Sequence, residues 1–140
     1  MDMEAAMKRI PPHSAEAEQA VLGAMLMNKE AVMVASEIIS GEDFYQTAYG
    51  ILFDAMVELF HKGKPIDLIT LQEHLKEKDV PPEVSSMEFA RDLLVGTQTS
   101  ANVKYYAEIV RDKATLRRLI KINEETANVC YLENLSLIHI

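Results

Sequence analysis

The sequence is poor in the residues that build covalent or metal-bound frameworks. It holds one cysteine, Cys130, so an intrachain disulfide is impossible, and that thiol shares no metal-ligand spacing with the four scattered histidines, His13, His61, His74 and His139. No metal site is expected, and isolated residues give no Ser-His-Asp or Cys-His arrangement. Glycine and proline are scarce, five of each. Neither a Walker-type Gly-rich loop nor a Gly-x-Gly-x-x-Gly turn occurs, so nucleotide binding has no basis in sequence; no cofactor and no catalytic residue are expected in this chain. Strictly alternating apolar and polar runs bounded by turn signals are missing, which leaves no strand to predict. A charged-then-apolar leader and a long apolar run are also missing, which reads as a cytoplasmic protein without a membrane role. Basic residues are outnumbered, 14 against 22 acidic, for a net charge of -8. Gripping phosphate backbones needs clustered Lys and Arg that release counterions, so nucleic acid is not the expected primary ligand.

What is present is helical spacing throughout. With 49% hydrophobic residues in 140, the chain has material for one all-α domain with a real core. Pro11 and Pro12 end a leader over residues 1–10, expected to be disordered, and a helical head is expected over 11–98. Ser14 is placed to cap a first helix from Ala15, with Glu16 and Glu18 in its first turn near the positive dipole end and Gly23 as a close packing contact. Asn28 is placed to cap a second helix through Ile39, closed by Ser40-Gly41 with a residue that tolerates positive φ. A third helix, about 46–62, carries Leu52, Phe53, Met56, Leu59 and Phe60 inward and stops at Gly63. Thr70 with Glu73, and Ser85 with Glu88, have capping-box spacing and open two short helices.

The last element differs in kind, because residues 101–133 contain no Gly or Pro and read as one long helix within a segment 99–134. Its first half presents Val103, Tyr106, Ala107 and Val110. Its second half presents Leu116, Ile120, Asn123, Ala127 and Cys130 in alternating four- and three-residue steps, a heptad-like stripe for which the head is too short a cover. That stripe is the expected oligomer interface, a dimer or larger. Asn123 within it reads either as an incidental polar residue or as a device that fixes pairing register. The cluster Arg111, Lys113, Arg117, Arg118 and Lys121 also has two readings: a solvated face with local pairs such as Lys121 with Glu125, or a docking surface for an acidic partner.

Several segments, taken in order, resemble the N-terminal domain of the DnaB-type bacterial replicative DNA helicases. They are Glu16-Ala17-Glu18-Gln19-Ala20-Val21-Leu22-Gly23, Asp43-Phe44-Tyr45, Gly63-Lys64-Pro65-Ile66-Asp67 with Thr70-Leu71, Asn102 through Val110, and Leu116-Arg117-Arg118-Leu119-Ile120. The resemblance implies a compact head followed by the first arm of a helical hairpin, here truncated. It further implies a collar above a hexameric ring that docks primase and a helicase loader. ATP, Mg and single-stranded DNA would belong to a RecA-like motor domain absent from these residues. Tyr49 stands where the family often has histidine, and residues 135–140 look unlike the family and read as a non-native tail. The alternative is an independent helical regulator that binds nucleic acid through residues 111–121.

Overall fold

A computed structural model gives residues 10–138, and side chains as far as residue 135. The expected leader, Ile10 excepted, and residues 139–140 of the suspected tail lie outside the described residues. The described chain is all-helical: α1 (Ala15–Met27), α2 (Lys29–Ser36), a 3-10 turn (Gly41–Asp43), α3 (Thr47–His61), α4 (Leu68–Lys76), α5 (Met87–Val95) and α6 (Val103–Ile138).

Helix α1 is the hub, because its apolar residues go almost all the way round and such a helix is stable only when surrounded. Residues Val21 through Met25 are consecutively buried, and α1 packs against α2, α3, α5 and α6. Gly23 faces the end of α5 and Thr97 just after it. A Cβ there would overlap Thr97 Oγ1 and fall 3.0 Å from the Leu93 carbonyl oxygen. Around this hub the core gathers Leu22, Val32, Leu52, Phe53, Met56, Leu59, Leu71, Leu75 and Val110, each burial stabilising the fold by roughly 1.5–3 kcal/mol.

The helix starts follow their caps. Ser14 accepts from the Ala17 amide at 3.2 Å and Asn28 from the Glu30 amide at 3.0 Å, each satisfying a donor that the first turn leaves without a partner. Gly63 adopts φ +69 after α3, the left-handed conformation that glycine tolerates at a helix C-terminus.

Other local expectations shift. Helix α2 ends at Ser36 rather than Ile39, with Ile39 buried in the following loop. Gly41 is not at positive φ; it opens the 3-10 turn and lies so close to α3 that a Cβ on Gly50 would overlap its carbonyl oxygen. The capping box of α4 lies three residues earlier than Thr70–Glu73. Asp67 Oδ1 accepts from the Thr70 amide at 2.8 Å and Thr70 Oγ1 from the Asp67 amide at 3.1 Å. Likewise Ser86, not Ser85, caps α5 through the Phe89 amide.

Helix α6 is 36 residues long, about 54 Å at a rise of ~1.5 Å per residue. Val103, Ala107, Val110 and Ala114 form its buried seam against the head. Residues 135–138 of the suspected tail continue it without a break.

Candidate functional site

Beyond Ala114 the arm leaves the head, and from residue 118 to 135 every position is exposed. Leu116 (45%) and Ile120 (44%) keep much of their side chains in water, and Asn123, Ala127 and Cys130 are exposed along the same line. The stripe points away from the head. Residues two apart, such as Ala114 and Leu116, stand about 200° apart on a helix of ~3.6 residues per turn. The seam and the stripe therefore occupy opposite sides of one rod. Leu119, Tyr131 and Leu132 are exposed as well, so the distal arm presents a long apolar surface that a soluble monomer rarely carries uncovered.

The basic cluster divides. Arg111 reaches its neighbour Asp112 at 3.4 Å, Lys113 is half-buried and Lys121 is exposed. Arg117 and Arg118 turn inward instead. Arg117 Nη1 donates to the Pro12 carbonyl at 2.8 Å and its Nη2 to the Asp43 carbonyl at 2.7 Å, while Arg118 Nη1 donates to Asp43 Oδ1 at 2.8 Å. Asp43 also accepts the Ser40 amide on Oδ2 at 2.9 Å. Tyr45 completes this joint: the His13 ring stacks on it with centroids 4.1 Å apart, and the Arg117 guanidinium lies 5.6 Å from its centroid. Arg117 and Arg118 are thus held by the head and Arg111 by its neighbour, which leaves Lys113 and Lys121 of the five cations for anything outside.

Glu18 has a role that its place in a first turn does not announce. It is 1% exposed and accepts the Tyr45 amide at 2.9 Å and the Gln46 amide at 3.3 Å. It therefore caps the entry to α3 from a different helix, where the dipole favours a negative charge. The visible signal was a carboxylate set among Ala17, Ala20 and Val21.

The head also carries a cleft of about 660 Å³ between α1, α3, α5 and the start of α6. Tyr49, Phe89 and Tyr106 line it, Glu16 and Asp92 add two carboxylates, and Gln19 and Gln98 add amides. Tyr49 stacks on Phe89 at 5.6 Å and accepts from Gln19 Nε2 at 3.0 Å. This is the polar contact of the residue that departs from the resembled family. Sequence spacing gave no hint of the cleft, since its residues come from four separated segments.

Among the described residues no group of His, Cys, Asp and Glu is placed to hold a metal ion, and no helix is long and apolar enough to cross a membrane. Residues 10–112 match the family model of the DnaB-like helicase N terminal domain. Curated relatives include the replicative DNA helicase DnaB of Geobacillus stearothermophilus, 44% identical over 81% of this chain and 25% of its own length. The replicative DNA helicase DnaC of Bacillus subtilis is 41% identical over 81% of this chain and 25% of its own length. The chain thus spans about a quarter of the length of these relatives. The N-terminal domain of the Mycobacterium tuberculosis DnaB helicase superposes with a TM-score of 0.83 at 34% identity, covering 87% of this chain and 88% of that one. The N-terminal domain of Helicobacter pylori DnaB, described with its interactions with primase, has the same fold at a TM-score of 0.70 and 18% identity, covering 82% of this chain and 89% of that one.

Proposed function

Because this chain belongs to the DnaB-like helicase N-terminal domain family, we propose that it is the collar module of a replicative DNA helicase, associating subunits through its arm and docking primase and a loader on its head. The whole protein would be a cytoplasmic, hexameric helicase whose motor domain holds ATP and Mg and moves on single-stranded DNA. This module contributes none of that chemistry.

The observation that carries the reading is the uncovered stripe Leu116, Ile120, Asn123, Ala127 and Cys130, turned away from the head. A second copy laid antiparallel fits it best. That arrangement sets the basic stretch 113–121 of one arm beside Glu124, Glu125 and Glu133 of the other, whereas a parallel pair stacks like charge on like. With Asn123 at the two-fold axis its amide meets its own mate, and Leu116 falls opposite Cys130 of the second copy.

Docking on the head is supported by the cleft, where aromatic rings beside Glu16 and Asp92 offer a seat for a basic side chain of a partner. The nucleic-acid reading through residues 111–121 is weakened, because Arg117 and Arg118 already hold internal partners.

Cross-linking tests the association. In a Leu116→Cys variant, mild oxidation is expected to join the introduced thiol to Cys130 of another chain within minutes, while the parent protein with Cys130 alone stays largely unlinked. Rapid linkage of Cys130 to Cys130, or no linkage in either protein, would refute the antiparallel arm pair. Titration with labelled single-stranded DNA tests the alternative. Submicromolar, steeply salt-dependent binding by this chain would favour the regulator.

A further inference from the structure

The apolar seam of α6 ends at Ala114, and the contacts that follow are of another kind. Arg117 and Arg118 hold three segments far apart in sequence: the strap Pro11–His13, the turn Gly41–Tyr45 and the arm itself. These are hydrogen bonds to backbone carbonyls and one ion pair whose aspartate side chain is 12% exposed and whose arginine is 54% exposed. Water can replace such contacts one by one, which it cannot do for the packed seam behind them. The position matters because of leverage. The arm runs about 30 Å beyond the joint, so 10° of play there moves its far end by about 5 Å.

We propose that Arg117, Arg118 and Asp43 form a polar latch that sets the direction of the arm, and that opening it frees the arm and the Pro11–His13 strap together while the head stays folded. Asp43 is the keystone. Its carboxylate ties the Ser40 amide of the turn to Arg118, and its carbonyl receives Arg117. His13 rides on Tyr45 next to Arg117, so loss of the Arg117 bond to the Pro12 carbonyl leaves the strap held by the ring stack alone. The latch works in a lone chain and does not depend on whether the arms associate.

Pulsed dipolar spectroscopy between nitroxides on Cys130 and on a second cysteine, Glu77→Cys, reads the arm direction. Samples are diluted tenfold with unlabelled protein so that only distances within one chain count. Relative to the labelled parent, Arg117→Ala with Arg118→Ala is expected to widen the distance distribution at least twofold. The His13 ring proton shifts, displaced by the Tyr45 stack, should move toward their free-peptide positions, and the thermal midpoint of the head should stay within a few degrees. Lys121→Ala, on the arm but outside the joint, should leave the width unchanged. If the double variant shows no cooperative unfolding, Arg118→Gln replaces it for the distance width and Arg117→Gln for the His13 shifts. An unchanged width in a folded latch variant, or equal widening by Lys121→Ala, would overturn the latch. A His13 ring that keeps its shift would overturn the coupling to the strap.

Discussion

Glu18 shows how one side chain can hold two helices in register. Its carboxylate is sealed between α1 and the amides that lead into α3, so Glu18→Ala leaves two partly buried donors without their partner. A loss of about 2–4 kcal/mol in urea-unfolding free energy is expected, with Glu18→Gln costing about half as much. A second carboxylate bridges α3 and α4. Glu58 takes Lys78 Nζ at 2.7 Å and His74 Nε2 at 2.9 Å, and the Lys78 bond, followed by His74, holds its pKa below the ordinary 4.5. A lowered folded pKa stabilises the fold above about pH 4.5 and stops doing so as pH falls through the lowered value. The difference in melting temperature between the parent and Glu58→Gln should therefore be constant near neutrality and shrink below pH 4.5. Asp54 behaves in the opposite sense. Burial raises its pKa above the ordinary 3.8, against the pull of the Gly41 amide, so Asp54→Asn should stabilise the protein at neutral pH and lose that advantage in acid. At this scale the sequence was readable where a residue acts on its neighbours, as Ser14 and Asn28 do. It was silent where the partner is far along the chain, as for Glu18 with Tyr45 or Arg118 with Asp43, because spacing carries no information about such meetings.

The elements repeat that lesson in their boundaries. Every α-helix among the described residues was legible from apolar periodicity and breakers, yet spacing alone puts the box of α4 three residues late and the cap of α5 one residue early. Asp67 and Thr70 satisfy the same reciprocal geometry as Thr70 and Glu73 would, and only the preceding turn decides between them. There Thr70 Oγ1 also donates to the Pro65 carbonyl at 2.8 Å, which fixes its rotamer toward Asp67. Asp67→Ala should accordingly destabilise the protein by about 1 kcal/mol, whereas Glu73→Ala should change stability by no more than about 0.5 kcal/mol. Equilibrium unfolding of the two variants distinguishes the registers. The 3-10 turn is hidden in the sequence because Gly41 reads there as a stop, when its missing side chain leaves room for the Asp54 carboxylate and the bare Gly50 admits its carbonyl.

As a whole, the molecule is a closed head with an open arm. The head satisfies itself: among the described residues no buried side-chain polar atom lacks a hydrogen-bond partner, and its core is continuous from α1 to the seam of α6. The arm does not. Its stripe was the part of the site most legible in the sequence, since a heptad-like spacing survives in any helix, while the cleft stayed hidden because Tyr49, Phe89, Asp92 and Tyr106 converge only after folding. The inward turn of Arg117 and Arg118 was equally invisible, because charge along a helix does not reveal which side meets a buried aspartate. The proposed cover for the stripe on the far side of the arm is a second copy. Light scattering on the 140-residue chain between about 1 and 100 µM reads whether that copy is there. Dimers or larger species are expected at tens of micromolar and should fall back toward monomer with Ile120→Lys or Leu116→Lys; a strictly monomeric parent protein over the whole range would rule out the paired arms.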